Sequence, residues 1–167
     1  TTTGFGYDDT VQWPLFSQII LLFLMCLGGS AGSTAGGFKV IRAIIIGRIA
    51  KNQILSTLSP NRVLTMHING AVLDKDTQHK VLKYFTVYML IIAVLIFIIS
   101  LDNSNLMTVV SAVISCVNNI GPMIGTTETF SIYSPFSKFL LSLAMIAGRL
   151  EIYPILLLFL PRTWSNR

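Results

Sequence analysis

The sequence predicts an all-α polytopic membrane protein, and three observations support this fold class. Only 11% of the 167 residues are charged and 53% are hydrophobic, whereas soluble domains carry about 25% charged residues. Long apolar runs recur along the chain, separated by short polar segments. Two of these runs flank a glycine-rich stretch, which predicts one membrane helix that is interrupted within the bilayer.

Charge and cysteine content exclude several other classes of protein. The net charge of +5 comes from cations in loops beside the apolar runs, not from a basic stripe with interleaved aromatic residues. Cys26 and Cys116 lie within apolar runs and form no disulfide framework or metal-ligand set. The sequence also lacks a nucleophile–base constellation and a phosphate-binding loop. We therefore expect no enzyme activity, no nucleic-acid partner and no covalently bound cofactor.

A Thr/Gly run, residues 1–6, opens the chain without a methionine or the basic start of a signal peptide. We expect the chain to be the C-terminal fragment of a longer protein. Because glycine tolerates positive φ, such a run can turn its backbone carbonyls toward one axis, as cation filters do. A frayed polar terminus would look similar.

An interrupted helix is predicted from Val11 to about Lys51. Its two apolar halves are each too short to span a bilayer, which requires about 20 residues. Between them lie ten residues that include several poor helix formers: Gly28, Gly29, Ser30, Ala31, Gly32, Ser33, Thr34, Ala35, Gly36 and Gly37. Broken backbone at membrane depth is tolerated where it is buried in protein or lines a water-filled path. The stretch is therefore predicted to be a pore or binding-site element, and close helix packing through its Gly-xxx-Gly spacing is the alternative.

Residues 52–79 form the long polar segment of the chain and are assigned to a cytoplasmic loop. Apolar-rich runs flank Asn69-Gly70, a pair typical of a type I′ turn, and predict a small β-hairpin. Exposed strand edges of this kind suit docking of a cytoplasmic partner. His67 and His79 have no metal-ligand spacing and are interpreted as ordinary polar residues.

Two helices of different length are predicted next. Residues 80–101 form an outer membrane helix, since their second half carries no charge. Residues 105–117 are apolar but too short to span, which is typical of a re-entrant pore helix or a buried core helix. The polar residues 102–105 are expected to supply N-cap chemistry for that short helix.

Irregular backbone is expected at residues 118–125, where Pro122 and two glycines stop the helix. A short helix followed by a glycine loop is the order of a pore loop, and the helix would point its partly negative end at a cation there. A kinked pair of packing helices is the alternative. The inner helix is expected at residues 134–161.

Arg149 and Glu151 are charges deep within this last apolar span. An ionisable residue at the bilayer core costs about 3 kcal/mol on insertion scales and is a functional candidate by default. Residues two apart on a helix do not face each other, so we expect Arg149 to point to the protein interior or the pore. A structural ion pair with another part of the protein is the alternative.

The distribution of positive charge predicts the orientation of the chain. Lys and Arg are concentrated in residues 39–83 and in the C-terminal tail, whereas the other side carries mostly acidic residues. The positive-inside rule then places the polar loop and the C-terminus in the cytoplasm. The two glycine-containing filter candidates face outward, at equivalent places in two successive repeats.

Four motifs together resemble the TrkH/KtrB family of bacterial potassium-uptake subunits, and TrkH more than KtrB. They are Thr1-Thr2-Thr3-Gly4-Phe5, the glycine stretch with Phe38-Lys39-Val40-Ile41-Arg42, Asn118-Asn119-Ile120-Gly121-Pro122, and Ala147-Gly148-Arg149-Leu150-Glu151-Ile152. The resemblance implies potassium-channel-like helix–pore-loop–helix repeats, four around one pore. Residues 1–51 would complete the third repeat, and residues 80–167 would form the fourth.

The resemblance also implies roles for particular residues and partners. The selectivity filter would take K+, with Na+ as an alternative, on backbone carbonyls of Thr2, Thr3, Gly4, Asn119, Ile120 and Gly121. The glycine stretch would be an intramembrane gating loop, and Arg149 would project toward it. Implied partners are membrane lipid, the missing N-terminal repeats, a second copy in a homodimer, and a TrkA-like cytoplasmic ring of nucleotide-binding subunits. The implied location is the bacterial inner membrane.

The predicted function is therefore potassium uptake through a gated pore. The filter motifs depart from the potassium-channel pattern Thr-Val-Gly-Tyr-Gly, since each loop shares only one glycine and Pro122 replaces the aromatic position. A secondary transporter with discontinuous helices is one alternative. A structural subunit of a larger transport complex is another.

Overall fold

The protein is described by a computed structural model for residues 2–6, 10–30, 32–33, 35–58, 67–68, 71–102, 104–125 and 129–150. These residues contain five α-helices: α1 (Leu15–Leu27), α2 (Val40–Leu58), α3 (Lys75–Ile99), α4 (Leu106–Asn118) and α5 (Pro135–Arg149). Short 3-10 helices lie at Thr10–Gln12, Ser100–Asp102 and Phe130–Ile132. Two strands, β1 (His67–Ile68) and β2 (Ala71–Val72), pair antiparallel.

The predicted interruption of the membrane helix is confirmed. α1 ends at Leu27 and α2 begins at Val40. Between them Gly28, Gly32 and Gly37 adopt φ values of 67°, 80° and 90°, a region in which a residue with a Cβ is strained. The helix therefore breaks because its backbone leaves the right-handed region repeatedly.

The interruption forms a loop whose two ends lie side by side. The Val40 N–H donates to the Gly29 carbonyl at 3.1 Å, and a methyl group added to Gly28 would lie 2.8 Å from the Gly36 carbonyl oxygen. Adjoining ends of this kind define an Ω-loop. Close packing of intact helices through the Gly-xxx-Gly spacing is therefore wrong: Gly28 lies against Gly36 within one loop, and a Cβ on Gly32 would meet no described atom within 4 Å.

α4 lies at the centre of the hydrophobic core. It contacts α1, α3 and α5, and its residues Val109, Ala112 and Val113 have no exposed surface. On α3, Ile99 is buried to the same extent. A short helix packed on so many sides carries no charge, since a buried charge is costly, and its buried polar residues include Ser111, Ser115 and Asn118. Its bounds are each one residue later than predicted.

The predicted side-chain cap at the start of α4 is wrong. Asn105 occupies the N-cap position but makes no side-chain capping bond. Asp102 instead accepts a hydrogen bond of 3.0 Å from the backbone N–H of Ser134, while Ser134 Oγ accepts from the Ser137 N–H at the start of α5. The carboxylate therefore ties the end of the outer helix to the start of the inner one.

The polar segment differs in extent from the prediction. α2 continues to Leu58 and α3 begins at Lys75, so helices occupy both ends of the segment assigned to a loop. β1 and β2 pair as a two-residue antiparallel ladder. The Asn69-Gly70 turn lies outside the described residues, so the hairpin stays a prediction.

One described segment, Lys75–Asp102, is long and apolar enough to cross a membrane. α1 and residues 106–117 are shorter apolar helices, as the sequence predicts for half-spanning elements. Thr1, Glu151 and the predicted inner helix beyond Leu150 lie outside the described residues.

The close contact between α5 and the end of α4 predicts that replacing Gly148 lowers the stability of the protein. A methyl group there would overlap with the Val117 carbonyl oxygen, whereas a methyl group on Gly47 of α2 meets no described atom within 4 Å. Gly148→Ala should destabilise the protein by about 1–3 kcal/mol, and Gly47→Ala should leave stability unchanged or raise it by up to about 1 kcal/mol. Thermal unfolding in detergent measures both, and equal stability of the two variants would contradict the packing.

Candidate functional site

The two predicted filter segments lie directly against each other. Gly4 belongs to the first segment, and a methyl group added to it would overlap with the carbonyl oxygen of Ile120 in the second. Only a glycine allows the two backbones to approach this closely. Segments far apart in sequence therefore meet at one place in the fold.

Both segments share a backbone pattern with left-handed residues at alternate positions. In the first, Thr2 and Gly4 have φ values of 57° and 77°; in the second, Asn119 and Gly121 have values of 55° and 109°. A β-branched threonine at positive φ is an outlier, and such outliers cluster at functional sites. The pattern supports the interpretation of the two segments as equivalent parts of a repeat.

The last turn of α4 holds the second filter segment by its N–H groups. The Ile120 N–H donates to the Ser115 carbonyl at 2.9 Å, and the Gly121 N–H donates to Ser115 Oγ at 3.0 Å. In a trans peptide the carbonyl points opposite to the next residue's N–H. The carbonyls of Asn119 and Ile120 therefore point away from α4, and the Ile120 oxygen lies against Gly4 of the first segment.

A cavity of about 600 Å³ brings most of the other predicted residues together. It joins the first filter segment, the glycine loop and the end of α5, and is lined by Thr2, Thr3, Gly28, Gly29, Ser30, Ser33, Ala35, Val40 and Arg149. A neighbouring cavity of about 470 Å³ contains residues of both filter segments, among them Gly4 and Ile120, beside Leu21 and Leu24 of α1. Arg149 thus lines the same cavity as the loop, and its role beside a gate stays a prediction.

Not every residue of the glycine stretch lines this cavity. Gly36 and Gly37 are buried against α4: a methyl group on Gly36 would lie 2.6 Å from the Asn118 carbonyl oxygen, and one on Gly37 would overlap with Asn118 Oδ1. Ala31 and Thr34 lie outside the described residues. The loop therefore has an arm facing the cavity and an arm packed beneath the filter.

A cluster of aromatic residues that the sequence analysis did not single out holds this packed arm. Phe38 follows the loop, is 5% exposed, and lies with its ring centroid 5.6 Å from Tyr88 and 6.1 Å from Tyr84 on α3. Arg42 places its guanidinium 4.0 Å from the centre of the Tyr84 ring, a cation–π contact. The signal in the sequence was the pair of tyrosines four residues apart at the start of the uncharged part of α3.

Over the described residues, no group of three or more His, Cys, Asp or Glu side chains could hold a metal ion. The two predicted filter segments offer backbone carbonyl groups, beside a cavity that Arg149 lines.

Comparison with known proteins identifies the family. The family model described as "TrkH: Cation transport protein" matches residues 1–166. The chain belongs to the TrkH family. The resemblance that the motifs indicate is confirmed.

Relatives of this TrkH-family chain include named uptake proteins. It is 32% identical to the Trk system potassium uptake protein TrkH of Escherichia coli K12, over 99% of the chain and 35% of the relative. Identity is 33% to TrkH of Vibrio parahaemolyticus, over 99% of the chain and 34% of the relative. The chain thus spans about a third of the length of these relatives.

A solved structure has the same fold as this TrkH-family chain. The crystal structure of the potassium transporter TrkH from Vibrio parahaemolyticus aligns with a TM-score of 0.90 and 32% identity, over 99% of this chain and 36% of that one. The helical fold is thereby confirmed at the level of the whole chain.

The left-handed conformation of Asn119 predicts how two substitutions of this residue differ in stability. Asn119 ends α4 with φ 55° and ψ 46°, and its Nδ2 donates to the Met145 carbonyl at 3.0 Å. Asn119→Gly and Asn119→Ala both lose the side-chain bond, but glycine removes the Cβ from this left-handed residue, whereas alanine keeps it at a cost of about 1–2 kcal/mol. The alanine variant should be less stable than the glycine variant by this amount in thermal unfolding. The same stability for both would contradict the conformation.

Proposed function

We propose that this chain supplies two adjacent filter segments and an intramembrane gate to a potassium-uptake pore. The observation that carries the proposal is the meeting of two left-handed Gly segments, Thr2–Gly4 and Asn119–Gly121, beside one cavity. Dehydrated K+ sits against the carbonyls of these segments, together with equivalents from the rest of the protein. The names of the TrkH relatives support potassium as the transported ion.

The glycine loop is proposed to gate the path below the filter. Its outer arm faces the cavity that Thr2 and Thr3 also line, so an ion leaving the filter toward the cavity meets the loop. Arg149 lines the same cavity, and its positive charge repels a cation. Movement of the loop and of Arg149 together would open the path.

The family and the charge pattern support a proposal for the wider assembly. We propose a location in the bacterial inner membrane, with the β1–β2 hairpin and the C-terminus in the cytoplasm. There the hairpin would meet a TrkA-like nucleotide-binding ring, and whole proteins would pair as homodimers.

Matched glycine variants in the complete transporter containing this chain test the proposed filter. Gly4→Ala places a Cβ at φ 77° against the Ile120 carbonyl, whereas a Cβ on Gly6 meets no described atom within 4 Å. Gly4→Ala should lower 86Rb+ uptake into proteoliposomes by about tenfold or more, since the strain alone is about 1–2 kcal/mol. Gly6→Ala should keep the uptake of the wild type.

Size-exclusion chromatography provides the control for assembly in this experiment. An assembled Gly4→Ala protein with wild-type uptake would contradict the filter assignment. A change in assembly without any change in uptake would favour the structural-subunit alternative.

A further inference from the structure

Tyr88 contacts both Phe38, which follows the glycine loop, and Asn118, which precedes the second filter segment. It lies on α3 and is 2% exposed. Its hydroxyl donates to Asn118 Oδ1 at 2.9 Å, while its ring lies 5.6 Å from the ring of Phe38, measured between centroids. One side chain therefore touches both the residue that follows the loop and the residue that precedes the filter.

Asn118 has a fixed orientation at this junction. It has no exposed surface, and its Nδ2 donates to the Ile114 carbonyl at 2.8 Å. With the amide nitrogen committed to its own helix, Oδ1 faces the Tyr88 hydroxyl and the backbone of Gly37. A buried acceptor in this position is costly to leave without its donor.

The filter cannot move independently of this residue. Asn118 is the last residue of α4, and the following segment is bound to Ser115 one turn earlier through the N–H groups of Ile120 and Gly121. Gly36 packs on the Asn118 carbonyl, with no room for a side chain between them. A displacement of the last turn of α4 therefore displaces both the filter carbonyls and the packed arm of the loop.

We propose that the Tyr88–Asn118 hydrogen bond couples the position of the glycine loop to the geometry of the filter. Tyr88 and Asn118 are positioning residues for cation selectivity, and neither needs to touch the ion. The inference rests on the proposed function and deepens it, because it makes the gate and the filter one mechanical unit. A displacement of Phe38, which contacts Tyr88 from the loop, therefore shifts the filter carbonyls.

The test measures 86Rb+ and 22Na+ uptake by the complete transporter containing this chain in proteoliposomes. Tyr88→Phe removes the hydroxyl and keeps the ring, so it breaks the bond to Asn118 without creating a cavity. The ratio of Rb+ to Na+ uptake should fall by about threefold to tenfold, the size expected when one buried hydrogen bond is lost.

Tyr133→Phe is the matched control. Tyr133 is also 2% exposed, and its hydroxyl donates to the Thr108 carbonyl at 3.3 Å, near the other end of α4. Loss of this hydrogen bond weakens the packing of α4 at the end far from the filter, so the ratio of Rb+ to Na+ uptake should stay unchanged. An equal fall in the ratio for both tyrosine variants would overturn the proposal, because it would reflect general loosening of α4.

Phe38→Leu examines the coupling from the loop side. It reduces the ring contact with Tyr88 but leaves the bond to Asn118 in place. The ratio of Rb+ to Na+ uptake should again fall. In the double variant Phe38→Leu/Tyr88→Phe, this ratio should be no lower than in the single variant with the lower ratio. Wild-type ratios in both single variants would overturn the proposal, and Phe38→Leu decides alone if Tyr88→Phe does not assemble. Absence of any Rb+ uptake by the wild type would instead overturn the proposed function.

Discussion

The constraint on which this structure depends is the close approach of two backbones to the end of α4. Gly36, Gly37 and Gly148 leave no room for a side chain against the carbonyls of Val117 and Asn118 and the Asn118 amide. The packed arm of the loop and the end of the inner helix α5 therefore meet the base of the filter directly. Because close-packed backbone responds as a unit, this junction links the loop, the filter and α5.

Local composition was sufficient to predict the fold at the level of element type. Gly28, Gly32 and Gly37 lie between α1 and α2 at positive φ, where glycine carries no Cβ penalty. Element ends were less predictable, since α2 runs on to Leu58 through a polar stretch. There Ser56 and Thr57 donate their hydroxyls to the Gln53 carbonyl, so polar residues continue the helix without unpaired hydroxyl groups.

Single motifs were sufficient to single out Thr2–Gly4 and Asn119–Gly121, which lie against each other in the structure, and their role as a filter stays a prediction. Contacts that depend on tertiary pairing were missed. Tyr88 and Asn118 are thirty residues apart, and no local pattern specifies that an asparagine at the end of one helix will accept a bond from another. The side-chain cap expected from residues 102–105 is wrong for a similar reason. Asp102 accepts its hydrogen bond from the N–H of Ser134, which lies just before α5 and not at the start of α4.

A variant of the complete transporter lacking residues 30–34 shows, by its 86Rb+ uptake, whether the glycine loop lies across an ion path. The structure favours this deletion, because a methyl group on Gly29 would lie 2.6 Å from the Cβ of Ala35, so joining these residues spans a short gap. If the loop lies across an ion path, the assembled deletion variant takes up Rb+ faster than the wild type and with less regulation. Unchanged uptake would contradict the account and leave the glycine loop as a packing element.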